Sequence, residues 1–259
     1  MASLDSVRKK ILRAKQNFDE LTAETFRYFQ SNPGKVVVQP ESTPDEIIAS
    51  FEPKDVLPSR LPLITGDCLQ NLRSSLDYLV WELVLAEGKE PGKHNSFPIC
   101  PGPTSDSFDK ALERRGKRPG CLEGIHVDAV TEIRKLQPYR WLNEWGMDLL
   151  WVLNELTNFN KHRRILLTDL RGEDPPPDFQ IVDVDRETWG HGSFPAINTK
   201  AKLAPFLVTS DPNMHRQIVA RIFFNETVAQ GREVSSVLVG LFEYIYDDIL
   251  PRFEGFFPK

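Results

Sequence analysis

The chain has 259 residues, 40% of them hydrophobic and 27% charged, a balance that fits a folded globular protein and excludes wholesale disorder and collagen-like or fibrous classes. Thirty-two Lys and Arg stand against 37 Asp and Glu, a formal charge of -5, which argues against a protein coated in nucleic acid while permitting a local basic patch. Cys68, Cys100 and Cys121 lie far apart with no CxxC pair, so neither a disulfide framework nor a zinc knuckle is expected; reduced thiols in a cytosol are. The start MASLDSVRKK lacks the apolar core of a signal peptide. The most apolar stretch, Tyr78 to Ala86, is interrupted by Glu82 and is shorter than the ~20 residues of a membrane span. The expectation is a soluble, cytoplasmic protein with no membrane partner.

Residues 3 to 30 read as the clearest helix. Leu4, Val7, Ile11, Ala14, Phe18, Leu21, Thr25 and Tyr28 alternate spacings of three and four, a heptad seam for packing along another long helix. Asn32-Pro33-Gly34 ends it. Lys35 to Gln39 and Glu46 to Phe51 read as a hairpin around the turn residues PESTPD. Pro53, Pro58 and Pro62 make a stiff connection to a second helix at about 65–87, where Leu69, Leu72, Leu76, Leu79, Val80 and Leu83 form one buried face and Gly88 is the stop. An irregular proline- and glycine-rich loop at 91–104 precedes short helices at 105–115 and 125–136.

A third long helix is expected over 143–162, with Trp145, Leu149, Val152, Leu153, Leu156 and Phe159 on its apolar side. Ile165 to Leu167 either extends it or begins a strand. Phe179 to Val184 and Arg216 to Asn225 read as strands, after the run Pro175-Pro176-Pro177. A C-terminal helix at about 231–250 carries Val234, Val237, Leu238, Leu241, Ile245 and Ile249 and stops near Pro251. These elements predict one α+β domain over 1–259: an antiparallel bundle of long helices with a small antiparallel β-sheet packed against its side or end, its β-rich insertions at about 35–52 and 165–225. The alternative is two domains divided near the triple proline. The long helices also offer a surface for a homodimer.

Two segments carry polar groups that a plain packing helix does not need. In Gly66 to Tyr78, Arg73 and Asp77 stand four apart, neighbours on one flank that either pair with each other or converge on a ligand. In Asn154 to Arg164, the residues Asn154, Asn158 and His162 repeat at four-residue spacing, aligning two amides and an imidazole. Lys161, Arg163 and Arg164 add cations at the helix end, where the dipole favours them. A hydrogen-bond network tying helices together is the structural alternative for that stripe.

These segments carry a resemblance. GDCLQNLRSSLDYL, then LNELTNFNKHR some eighty residues on, with Phe97-Pro98-Ile99 and Leu136-Gln137-Pro138-Tyr139 between, is similar to an uncharacterised family of bacterial cytoplasmic proteins. That family shares a GD-x-x-x-NLRS-x-LDHL helix, an FPI stretch, an LQPY segment and an L-x-N-x-x-KHR segment. It has no assigned activity, so the resemblance implies fold and site rather than a reaction. More loosely, the chain resembles HEPN-type helical domains, many of them metal-independent endoribonucleases with an Arg followed after four to six residues by a His. Here Tyr78 stands where that His would be. A phenol with an ordinary pKa of ~10 is a poor general base near neutrality, whereas imidazole at ~6.5 is suited to it.

His94, His126, His191 and His215 are isolated, without HxxxH, HExxH or HxH spacing, and GxSxG, GxxxxGK[ST] and GxGxxG are absent. Neither a histidine-built metal site nor a cofactor is expected. Arg114-Arg115-Gly116-Lys117-Arg118 reads as a solvated basic loop with phosphate contact as its other use; Trp141 and Trp145 read as core and Asp247-Asp248 as a solvated helix end.

Three functions follow. The first is a non-catalytic protein whose polar inter-helix pocket binds an anionic, phosphate- or nucleotide-like ligand through Arg73, Asp77, Asn158, Lys161, His162 and Arg163. The second is an HEPN-like endoribonuclease acting on RNA, with Arg73 stabilising the phosphorane and His162 or Tyr78 moving the proton. The third is a structural or interaction protein with no ligand. The acid balance and Tyr78 favour the first.

Overall fold

A computed structural model describes residues 2–31, 34–40, 47–53, 57–100, 105–113, 119–138, 148–162, 167–168, 181–182, 217–218, 222–225 and 227–258. Glu41 to Asp45 of PESTPD, Arg114 to Arg118, Tyr139, Trp141, Trp145, Arg163, Arg164, the triple proline, His191 and His215 lie outside these residues.

Spacings of three and four along the first residues close into helix α1 (Asp5–Gln30). Leu4, Val7, Ile11, Ala14, Leu21 and Tyr28 are buried on its inner side. At the middle of the seam Asn17 is buried and Phe18 only partly so, because an α-helix at 3.6 residues per turn drifts off a strict seven-residue repeat. Helix α2 (Arg60–Ala86) begins at Arg60 rather than near Thr65. Pro62 falls in its first turn, where a backbone N–H would have no intrahelical partner and the missing donor costs nothing. The two helices run antiparallel. Arg60 meets Glu20 and Glu24 at one end, the Cys68 thiol reaches the Ala14 carbonyl midway, and Glu82 accepts from Ser3 N and Ser6 Oγ at the other. Leu69, Leu72, Leu76, Leu79, Val80 and Leu83 of α2 are each no more than 2% exposed. At about 1.5–3 kcal/mol per fully buried side chain, this face dominates the local energetics.

A β-hairpin follows α1. Strands β1 (Gly34–Pro40) and β2 (Ile47–Pro53) pair antiparallel with Gly34 opposite Pro53 and Pro40 opposite Ile47. After α2 come α3 (Asp106–Leu112) and α4 (Val127–Lys135). The His126 imidazole caps α4 by accepting from Asp128 N at 3.2 Å. Helix α5 (Leu149–His162) opens behind Asp148, whose carboxylate accepts from Trp151 N at 2.9 Å. A Cβ on Gly66 would lie 2.6 Å from the Asn160 amide, so α2 and α5 meet there at a separation that a side chain at position 66 would obstruct.

Among the described residues the expected sheet packed against the bundle is not found: these residues are mostly helical, and strands occur among them only as separate two-stranded pairs. Besides the hairpin, β3 (Leu167–Thr168) pairs with β6 (Phe223–Phe224), and β4 (Ile181–Val182) with β5 (Gln217–Ile218). Within Arg216 to Asn225, which reads as one strand, Gln217–Ile218 and Phe223–Phe224 thus have different partners. Phe224 also bonds the following turn, through its N–H to the Arg232 carbonyl and its carbonyl to Gly231 N. A sheet needs three or more strands with a shared apolar face to be stable on one side of a core; each described pair has two strands.

The C-terminal rod also departs from expectation. It runs as α6 (Val234–Glu243), widens to a π-helical turn at Tyr244–Ile249, then tightens to a 3-10 helix at Leu250–Phe256. Pro251 has no N–H for the carbonyl four residues back, and the change of winding carries the chain past it instead of stopping it. Phe253 is fully buried beyond that point. Side chains from α1, α2, α4, α5, β6, α6 and the C-terminal turns join one continuous core.

Candidate functional site

Arg73 and Asp77 do pair: Arg73 Nη1 donates to Asp77 Oδ1 at 2.7 Å. Both also reach one residue outside the helix. Arg73 Nη2 donates to the Phe97 carbonyl at 2.8 Å, and Phe97 N donates to the same Asp77 Oδ1 at 2.9 Å. The pair therefore satisfies both backbone polar groups of Phe97, whose ring is 1% exposed. Gln137 does the same one step on. Fully buried, it donates through Nε2 to the Pro98 and Ile133 carbonyls, both at 3.0 Å, and accepts from Cys100 N at 3.1 Å. Three of the four motifs that carry the family resemblance thus meet on the backbone of residues 97–100. Each charge-assisted bond of this kind contributes about 1.5–3 kcal/mol and each neutral one about 1 kcal/mol.

Among the described residues, none of those expected on α5 bonds to this pair. Asn158, Lys161 and His162 are exposed, and Asn154 donates to its neighbour Glu155. The residue that touches α2 is Asn160, against Gly66. Arg73 stands about 10 Å further along α2, seven positions at ~1.5 Å each, and its guanidinium points onward to Asp77 and Phe97. Tyr78 is on a different flank, with Lys10 Nζ 5.3 Å from its ring centroid; five positions of a helix turn it roughly 140° from Arg73. Arg73 and Tyr78 thus stand on different flanks of α2, His162 is exposed at the end of α5, and Arg163 lies outside the described residues.

A concavity the sequence did not announce lies beside the Phe97 anchor. His94, Ser96, Lys110, Ala111, Glu113, Pro119 and Cys121 line a half-open cleft of about 240 Å³. One wall is the loop at 92–96. Asn95 Oδ1 accepts from Gly92 N at 2.8 Å, Asn95 Nδ2 donates to the Glu123 carbonyl at 2.9 Å, and Ser96 N donates to the Cys121 carbonyl. The His94 ring lies over Gly92, where a Cβ would come within 2.6 Å of it. The facing wall is α3 with the 119–121 segment. Cys121 N donates to the Ala111 carbonyl, and Gly120 passes so close to the Leu112 carbonyl that a Cβ would overlap it. Such approaches require glycine.

Burial pushes the Cys121 thiol up to about 11, Cys100 adding to the effect, and raises Cys68 to about 12 and Cys100 as well. All three are thiols near neutrality, so the cleft holds no thiolate nucleophile. What it offers is a cation, an imidazole, a hydroxyl and a carboxylate. His94 reads as isolated in the sequence because its companions come from α3 and from residue 121. The pair Gly92 and Asn95, a glycine with a side-chain turn former, is the local signal that the loop is ordered. Among the described residues no helix is long and apolar enough to cross a membrane. Compared with known proteins, the chain matches no family model, no curated protein and no solved structure.

Proposed function

We propose that the chain is a non-catalytic binding protein for a small anionic, phosphate-bearing ligand, taken up in the cleft between residues 94–96, α3 and 119–121. The observation that carries this reading is the placement of Lys110, His94 and Ser96 around one open space of about 240 Å³, below the ~300–1,000 Å³ of drug-sized sites and so fitted to a small ligand. Arg73, which the pocket and nuclease readings share along with His162, already donates to Asp77 and Phe97, which supports assigning it to the scaffold. The resemblance to the bacterial family belongs to this proposal as the ground for a cytoplasmic location. Self-association through the long helices belongs to it too, with exposed Tyr78, Trp81 and Leu85 spaced three and four apart on α2.

The test is thermal unfolding with increasing inorganic phosphate or a nucleoside monophosphate. The midpoint is expected to rise with ligand concentration and to stay flat in Lys110→Ala. Cleavage of RNA without added metal, lost in Arg73→Ala, would replace this reading with the endoribonuclease. No shift with any phosphate compound would leave the ligand-free structural protein.

A further inference from the structure

Opposite charges share the rim of the cleft. Lys110 is in the last turn of α3 and Glu113 is its C-cap residue, three positions on and hence on the same flank. Both are exposed and both line the cleft. Among the described residues neither forms an ion pair, with the other or with a third side chain. The C-terminal end of a helix carries partial negative charge, so the dipole favours Lys110 there and opposes Glu113. Helix stability therefore accounts for the lysine and not for the carboxylate. Among the described lining residues one cation, Lys110, stands beside one carboxylate, Glu113, and a ligand that is only anionic meets Glu113 as a repulsive neighbour.

We infer that the ligand of this cleft is a small zwitterion, a phosphate monoester that also carries a primary amine. Its phosphate faces Lys110, His94 and Ser96, and its ammonium group faces Glu113. The inference rests on the cleft being the anion site and narrows the ligand class. The same chemistry occurs in a free amino-alcohol phosphate and in an aminophospholipid headgroup; the cleft's small volume points to the free molecule.

Calorimetric titration of the full chain with phosphoethanolamine, inorganic phosphate and ethanolamine tests this, alongside Glu113→Gln and Lys110→Ala. Both substitutions are on exposed side chains and leave the core untouched. Phosphoethanolamine is expected to bind at least about tenfold more tightly than phosphate, a difference of ~1.4 kcal/mol. Glu113→Gln is expected to erase that advantage while phosphate binding persists, and Lys110→Ala to weaken both. Equal affinities for phosphate and phosphoethanolamine, unchanged by Glu113→Gln, would overturn the zwitterion and leave the anion site standing. No binding of either compound would overturn the anion site itself. Sedimentation with phosphatidylethanolamine vesicles, lost in Glu113→Gln, would overturn the free molecule as the source.

Discussion

Arg73 and Asp77 divide the amide and carbonyl of Phe97 between them, and this gives the pair a worth that its spacing alone does not. An exposed i,i+4 pair contributes ~0–1 kcal/mol, while breaking a buried pair costs ~3–5 kcal/mol. The Arg73 side chain is 14% exposed and that of Asp77 is 38% exposed, so Arg73→Ala is expected to destabilise by about 2 kcal/mol in urea unfolding. A loss below ~0.5 kcal/mol would show that the Phe97 contacts carry no weight. The sequence made the pair legible through its four-residue spacing. The partner lies 20 residues from Asp77 and 24 from Arg73, and nothing in the local pattern encodes it. Asp148 makes a second residue-scale case. Burial raises its pKa, against the opposing bonds from Trp151 N and Leu150 N. A carboxyl raised above its unfolded value contributes stability below the ordinary carboxylate range and loses it as pH climbs through the raised value. Asparagine caps a helix as well as aspartate. Asp148→Asn is therefore expected to be more stable than the native chain at pH 7, with the difference closing by about pH 3. Parallel pH profiles of the two proteins would contradict it.

At the scale of elements, the helices were readable because each buries one continuous stripe, and their periodicity survives in α1, α2 and α6. Their crossings were not. The α2–α5 contact turns on Gly66 and Asn160, neither of which belongs to an apolar stripe. Alanine in place of a helical glycine ordinarily gains about 1 kcal/mol. In Gly66→Ala the new Cβ meets the Asn160 amide, and that gain is expected to be absent; in Gly66→Ala/Asn160→Ala it is expected to appear as higher stability than Asn160→Ala alone. Equal effects of Gly66→Ala in both backgrounds would contradict the close approach. The hairpin formed as read, but among the described residues the sheet packed on the bundle did not, for a related reason. β-Branched runs such as Phe179 to Val184 signal extended backbone, but only pairing partners make a sheet, and Gln217–Ile218 and Phe223–Phe224 have different ones. Gln137, whose amide holds Pro98 and Cys100, shows how a buried side chain takes over the bonds that a neighbouring strand would make. Gln137→Ala is expected to cost about 2–3 kcal/mol by leaving those groups unpaired, read by chemical denaturation; a cost under ~1 kcal/mol would show that they are otherwise satisfied.

For the whole molecule, the residues that looked functional and those that line a cavity are two different sets. The NLRS-x-LD, FPI and LQP segments converge to hold residues 97–100 in place. The cleft next to them is lined by residues that carry no motif, drawn from a loop, α3 and the 119–121 segment. A single sequence exposes repeated or spaced residues readily, whereas a cleft assembled from three separate stretches appears only when the chain is folded. The division of labour is tested most directly by measuring phosphate affinity and unfolding free energy together in two variants. Arg73→Gln is predicted to lose about 2 kcal/mol of stability while phosphate affinity in the folded protein stays within about threefold. Lys110→Ala is predicted to keep its stability within ~0.5 kcal/mol and to lose at least about tenfold in affinity, ~1.4 kcal/mol. The reverse pattern, binding lost with Arg73 and untouched by Lys110, would contradict the assignment of the first residue to the scaffold and the second to the ligand.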